Sequence, residues 1–243
     1  MTTKLSLVII FLFSIFTLSC IKVEQQHRIP DQVHMANHSF NFIAMVTTIS
    51  NNKVLLGSGS GVLVYNERSS SYVLTAGHIC NGVTAGINIE VHDKFGISYP
   101  AEVFQNQYND TSDSCLLKTK RKMPYWPVKI ANRAPRWGDK VWNLNAGTGY
   151  FVPKDMKYPS TSGVIQIHEG YYSGYEPYFN KFVFTQMSIH GGASGSMILN
   201  HRGELVSIIT AYRFSSGSRI HEISYGETLG NIKNLMSIFT TAL

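Results

Sequence analysis

The sequence predicts an all-β protein, and three observations carry that prediction. From about Phe40 onward, short stretches rich in β-branched and aromatic residues recur roughly every eight to fifteen residues. Gly, Asn, Asp and Ser separate these stretches, and no long helical period interrupts them before the end of the chain. So many short strands suit barrels or sandwiches rather than alternating strand–helix units.

The first twenty residues stand apart. Lys4 is their only charge, Leu5 to Leu18 is almost wholly apolar, and Thr17, Ser19 and Cys20 close the run with small or polar residues. This is the pattern of a secretory signal, with cleavage expected after Ser19. Two fates then fit Cys20: lipidation as the first mature residue, which tethers the protein to a membrane, or simple secretion. The expected location is accordingly secreted, periplasmic or membrane-anchored. Residues 21–38 read as an N-terminal segment or linker.

The candidate strands follow in order: Ile43 to Ile49, Gly61 to Tyr65, Tyr72 to Leu74, Ile87 to Val91, Tyr99 to Phe104, Cys115 to Lys118, Lys140 to Leu144, Val164 to Ile167, Phe182 to Gln186, Ser196 to Leu199 and Leu205 to Thr210. Tyr171 to Tyr178 reads as an exposed, aromatic-rich loop. A stretch containing Pro124, Pro127 and Pro135 reads as a connector, which divides the body into halves at 39–130 and 131–243. Ile232, Leu235, Met236 and Phe239 recur at helical spacing and predict a terminal helix docked by one apolar stripe.

Composition excludes several classes of function. The 21 Lys plus Arg against 15 Asp plus Glu give a net charge of +6, and Lys118, Lys120, Arg121 and Lys122 are the densest basic group. That group reads as a solvated loop, because no aromatic-plus-basic signature or zinc-finger spacing accompanies it; a nucleic-acid partner is not expected. Three cysteines are too few for a structural zinc site, so no metal is expected.

Three motifs carry chemistry. Leu74-Thr75-Ala76-Gly77-His78 is an apolar strand that delivers a histidine at its tip, and Asp113-Ser114-Cys115-Leu116-Leu117 places a carboxylate at the mouth of another. Gly191-Gly192-Ala193-Ser194-Gly195-Ser196 sets a serine among glycines, a backbone free to turn amide N–H groups into one small space. Serine chemistry needs a base beside the hydroxyl and a carboxylate to orient that base. All three residue types are present, in the order His, Asp, Ser.

These motifs, with Gly57-Ser58-Gly59-Ser60-Gly61-Val62 ahead of the histidine strand, resemble the chymotrypsin-like serine peptidase superfamily. Gly203 to Ala211 is similar to the strand after the nucleophile in its bacterial HtrA-type and glutamyl-endopeptidase-like branch. The resemblance implies two antiparallel six-stranded Greek-key β-barrels with the active site in the cleft between them. It implies a triad of His78, Asp113 and Ser194, an oxyanion hole from the Gly192 and Ser194 amides, a protein or peptide substrate, and a mechanism that needs no metal or organic cofactor. Ser188, Thr210, Ala211, Tyr212 and Arg213 fall where the family builds its substrate pocket. Ala193 stands where the trypsin branch carries the aspartate that captures a newly cut N-terminus, so activation by that salt bridge is not expected.

Because His78 and Asp113 approach each other in the family, Cys80 and Cys115 are expected to be neighbours joined by a disulfide that braces the catalytic pair, two buried thiols being the alternative. An α/β-hydrolase is disfavoured because glycine is absent where Ser196 stands and because the histidine precedes the serine. The remaining alternative is a double barrel that binds without turnover.

Overall fold

The computed structural model describes residues 43–50, 55–83, 87–146, 165–187, 189, 191–212 and 223–239. Residues 1–42, and with them the signal-like segment and Cys20, lie outside the described residues. The first six strands are β1 (Ile43–Ser50), β2 (Leu55–Asn66), β3 (Ser71–Thr75), β4 (Ile87–His92), β5 (Ser98–Asn109) and β6 (Ser112–Thr119). They form a closed antiparallel barrel in the order β1-β2-β3-β6-β5-β4. Pairing of β4 back onto β1 closes it.

A second closed barrel follows: β7 (Lys140–Asn145), β8 (Gln166–Glu176), β9 (Lys181–Thr185), β10 (Met197–Leu199), β11 (Leu205–Tyr212) and β12 (Ile223–Glu227). Read from β7, its order is β7-β8-β9-β12-β11-β10, the same path as the first. A five-residue helix, α1 (Gly77–Asn81), follows β3, and α2 (Leu229–Met236) ends in a 3-10 turn at Ser237–Phe239. The architecture is thus two closed six-stranded barrels with a short C-terminal helix.

Three apolar clusters hold it together. Leu63, Val73, Val91, Cys115 and Leu117 pack inside the first barrel, and Val141, Phe184, Ile198, Val206 and Ile209 inside the second. A third cluster lies between them, where Leu74 and Leu116 meet Trp142, Met197 and Ile208. This explains the unbroken apolar run of β3 and β6. Successive side chains point to opposite faces, and here one face fills a barrel while the other fills the interface. Each fully buried Leu, Ile or Val adds about 1.5–3 kcal/mol.

α2 docks through Ile232 and Leu235, both fully buried, and Phe239 stacks on Tyr65, as the helical stripe predicts. The Thr228 side chain caps its first turn by accepting from the Asn231 N–H at 3.3 Å. Between β6 and β7 the chain crosses from one barrel to the other, with the Val128 N–H donating to Leu63 O and the Ala131 N–H to Leu205 O, each at 2.9 Å. Glu204 anchors this crossing: Lys129, Asn200 and Arg202 all donate to its carboxyl and hold it down to about 2.

Three local expectations change. The aromatic stretch expected as a loop is mostly strand: Tyr171 to Glu176 belong to β8 and pair with β9 in register from Tyr171↔Thr185 to Glu176↔Lys181. Tyr172 is buried edge-on against Phe182 and Phe184, so aromatic cross-strand packing decides the segment and only residues 177–180 remain as the turn. β12 was not expected as a strand, because its Ser224, Gly226 and Glu227 lack apolar alternation. Of the four basic residues expected as a solvated loop, Lys118 instead takes the strand place that Cys115 to Lys118 also gave it: it lies in β6, pairs with Glu67 and sits over the Tyr72 ring.

Candidate active site

β3 ends at Thr75, and α1 begins two residues later, so His78 is presented just past the strand tip. No side chain at Ala76 caps this short helix. Asp113 takes that role from β6, the strand paired with β3: its Oδ1 accepts from the His78 backbone N–H at 2.8 Å. The same carboxyl meets the imidazole, with Nδ1 2.9 Å from Oδ2 and 3.2 Å from Oδ1. The Asp113 side chain is 14% exposed and that of His78 35%, so the acid is shielded while the ring remains reachable. Gly77 makes this possible, since a Cβ there would come within 2.9 Å of Ser114 N and 3.1 Å of Asp113 Oδ1.

Cys80 and Cys115 form a disulfide, with Cα atoms 6.4 Å apart and 35 residues of separation. The bond ties α1 to β6 directly behind the His78–Asp113 contact. Closing a loop of this length contributes about 3–4 kcal/mol. Replacing both cysteines with serine is therefore expected to lower the melting temperature by about 10 °C, at roughly 2–4 °C per kcal/mol for a chain of this size. Thermal unfolding with and without reductant checks it; equal midpoints would remove the brace.

Ser194 sits at the turn before β10, packed against the same region. Its backbone oxygen accepts from the Ser60 N–H at 2.7 Å, and the Thr75 hydroxyl donates to Ser60 O at 2.7 Å. The Ser60 hydroxyl donates to Gly192 O at 2.9 Å and accepts from the Ala146 N–H at 3.0 Å. Ser60 thus joins the serine turn to the strand that carries the histidine. Sequence reasoning singled out the glycine-rich stretch around Ser60 but not this bridging role, which no local pattern signals.

Gly195 follows with φ +82, and a Cβ on it would lie 2.1 Å from Ser60 O, 2.3 Å from Thr75 Oγ1 and 2.9 Å from Ala76 N. The serine turn therefore presses on the backbone immediately before His78. Gly192 is also left-handed, at φ +85.

A cleft of about 620 Å³ opens beside Asp113, lined by Tyr108 from the first barrel and by Phe179, Thr210, Ala211 and Tyr225 from the second. The Tyr108 ring lies 6.5 Å from that of His78. Of the expected pocket residues, Thr210 and Ala211 reach this cleft, and Tyr212 ends β11 opposite Ser224. Ser188 and Arg213 lie outside the described residues. Tyr108 and Phe179 were not foreseen; each sits near a hairpin end, where only the folded pairing brings it to the cleft.

Comparison with known proteins extends these observations. Residues 59–208 match the family model described as a trypsin-like peptidase domain. The chain is 30% identical over 164 residues to the periplasmic pH-dependent serine endoprotease DegQ of Escherichia coli K12, covering 68% of this chain and 33% of DegQ. It is 27% identical over 180 residues to the periplasmic serine endoprotease DegP of Salmonella typhimurium, covering 74% of this chain and 35% of that one. The chain spans about a third of the length of these curated relatives. Among solved structures, a serine endoprotease from Yersinia pestis superposes with a TM-score of 0.65 at 21% identity, over 85% of this chain and 65% of that chain.

Proposed function

Because the chain belongs to the trypsin-like peptidase domain family, we propose that it is a serine endopeptidase acting through His78, Asp113 and Ser194. Fold alone does not establish activity; the observation that carries the reading is the Asp113 carboxyl gripping both the backbone and the Nδ1 of His78. A carboxylate at Nδ1 holds the proton on that nitrogen and leaves Nε2 as the acceptor. Ser194 supplies the hydroxyl that Nε2 deprotonates for attack on a peptide carbonyl. His78 then returns the proton to the leaving amine, while Asp113 stabilises the imidazolium.

The Gly192 and Ser194 amides serve as the oxyanion hole. The left-handed backbone at Gly192 supports this, because it turns successive N–H groups toward one point. Substrates are peptides or proteins laid in the cleft along Thr210, Ala211 and Tyr225. Ser188 falls where the basic-selective aspartate of trypsins stands, which argues against Lys or Arg selectivity. Export is part of the same reading, supported by the signal-like first twenty residues and by relatives named as periplasmic.

The test is cleavage of a diverse peptide library, read by mass spectrometry beside a Ser194→Ala control, with labelling by a serine-directed fluorophosphonate. Wild type is expected to cleave and to be labelled at Ser194, and the control to lose both, with kcat down about 10⁶-fold. Absence of cleavage and of labelling in wild type would assign the double barrel to binding instead.

A further inference from the structure

Glu227 ends β12 fully buried, a carboxylate with no part in the triad. Its Oε2 accepts from Lys181 Nζ at 2.9 Å, from the Asp113 backbone N–H at 2.5 Å and from the Ser112 hydroxyl at 3.4 Å. Oε1 accepts from Asn231 Nδ2 at 2.6 Å and from the Thr228 N–H at 3.0 Å. One side chain of the second barrel therefore holds the backbone of Asp113 in the first. Asn231 and Asn180 join it, each donating to Thr111 O, at 2.9 and 3.0 Å.

The hairpin tip needs such a hold. From Glu102 to Asn109, β5 is exposed or half-buried throughout, and on β6 the buried neighbours of Asp113, Ser112 and Ser114, are polar, so that apolar packing begins only at Cys115. Segments with few buried apolar contacts open at low cost. A buried ion pair is meanwhile an expensive way to gain stability, since desolvation offsets most of the attraction. A pair retained at that cost beside Asp113 fits a role in geometry.

We infer that Glu227, neutralised by Lys181, is a positioning residue that clamps the Asp113 turn across the barrel interface and so sets the Asp113–His78 pair against Ser194. The inference rests on the serine-peptidase reading of those three residues. Glu227 acts through the Asp113 backbone and touches no reacting atom.

The test replaces the pair together, Glu227→Met with Lys181→Met, so that no lone charge is buried. Two measurements are made: steady-state kinetics, giving kcat and KM, on a cleaved peptide, and the low-field NMR resonance of the His78 Nδ1 proton in a Ser194→Ala background. The expected result is a loss of kcat of about 100-fold, the scale of a 1 Å misplacement; because Lys181 also lines the cleft, KM is compared with that of Glu227→Gln with Lys181→Met, which shares the Lys181 change, and is expected to agree within about twofold. The low-field proton is expected to vanish by exchange. Glu227→Gln with Lys181→Met, which restores a carbonyl acceptor for the Asp113 N–H, is expected to recover both in large part.

Unchanged kcat in the double-methionine variant would overturn the inference, as would a lost kcat with the low-field proton intact. If that variant does not fold, Asn231→Ala, at a half-buried helix position, is expected to lower kcat several-fold at constant KM; no change there would overturn the clamp equally. The proton signal needs no turnover, so an inactive wild type would defeat the peptidase reading while the clamp was still read independently.

Discussion

Asp113→Asn is expected to lower kcat by about 10⁴-fold while leaving the fold and KM nearly unchanged. The reason lies in which atom faces which. Oδ1 accepts from the His78 backbone N–H, and an asparagine keeps that bond by placing its carbonyl there. Its amide NH2 then faces Nδ1 where Oδ2 stood at 2.9 Å. A donor opposite Nδ1 forces that nitrogen to accept, moves the ring proton to Nε2, and leaves nothing to take the Ser194 proton. Steady-state kinetics on a library-derived peptide measures the effect, with thermal unfolding as the control for folding. A loss below tenfold would show that Asp113 does not orient the base.

The largest structural effect is expected at Gly195. Its φ of +82 disfavours any side chain, and an added Cβ would meet Ser60 O and Ala76 N, which are backbone atoms with little freedom to move. Relief requires the serine turn to withdraw from the strand that carries His78, breaking the Ser60 N–H to Ser194 O bond at the joint between the barrels. Gly195→Ala is therefore expected to cost at least about 4 kcal/mol, among the most damaging single substitutions. Gly82→Ala is the control: at φ −89 with nothing within 4 Å of its Cβ, it should stay within about 1 kcal/mol of wild type. Denaturant unfolding of the two variants compares them, and equal midpoints would refute the close-approach account.

Much of this was legible in the sequence, for a definite reason. Strand period and turn chemistry are properties of neighbours along the chain, so β1, β3, β4 and β7 fall close to where alternation and turn residues place them. The terminal helix was legible likewise, because Ile232 and Leu235 lie on one side at helical spacing and that side is buried. The approach of Cys80 to Cys115 followed from a resemblance in motif order, and the disulfide bears it out.

Other features belong to pairing between distant segments. Tyr171 to Glu176 became a strand only because β9 lay beside it, and β12 only because its Gly226 fits between β9 and β11. The common path of the two barrels leaves no repeat that the eye finds in the sequence, since strand order constrains hydrogen bonding rather than residue identity.

By itself, then, the sequence determined the all-β class, the position of most strands, and the candidate residues His78, Asp113 and Ser194 in their order. Only the tertiary structure decided what supports them: Ser60 bridging the serine turn to the histidine strand, and Glu227 holding the Asp113 backbone from 114 residues away. The physical reason is that a buried carboxylate looks like any strand-end glutamate until folding shows which N–H groups it must satisfy.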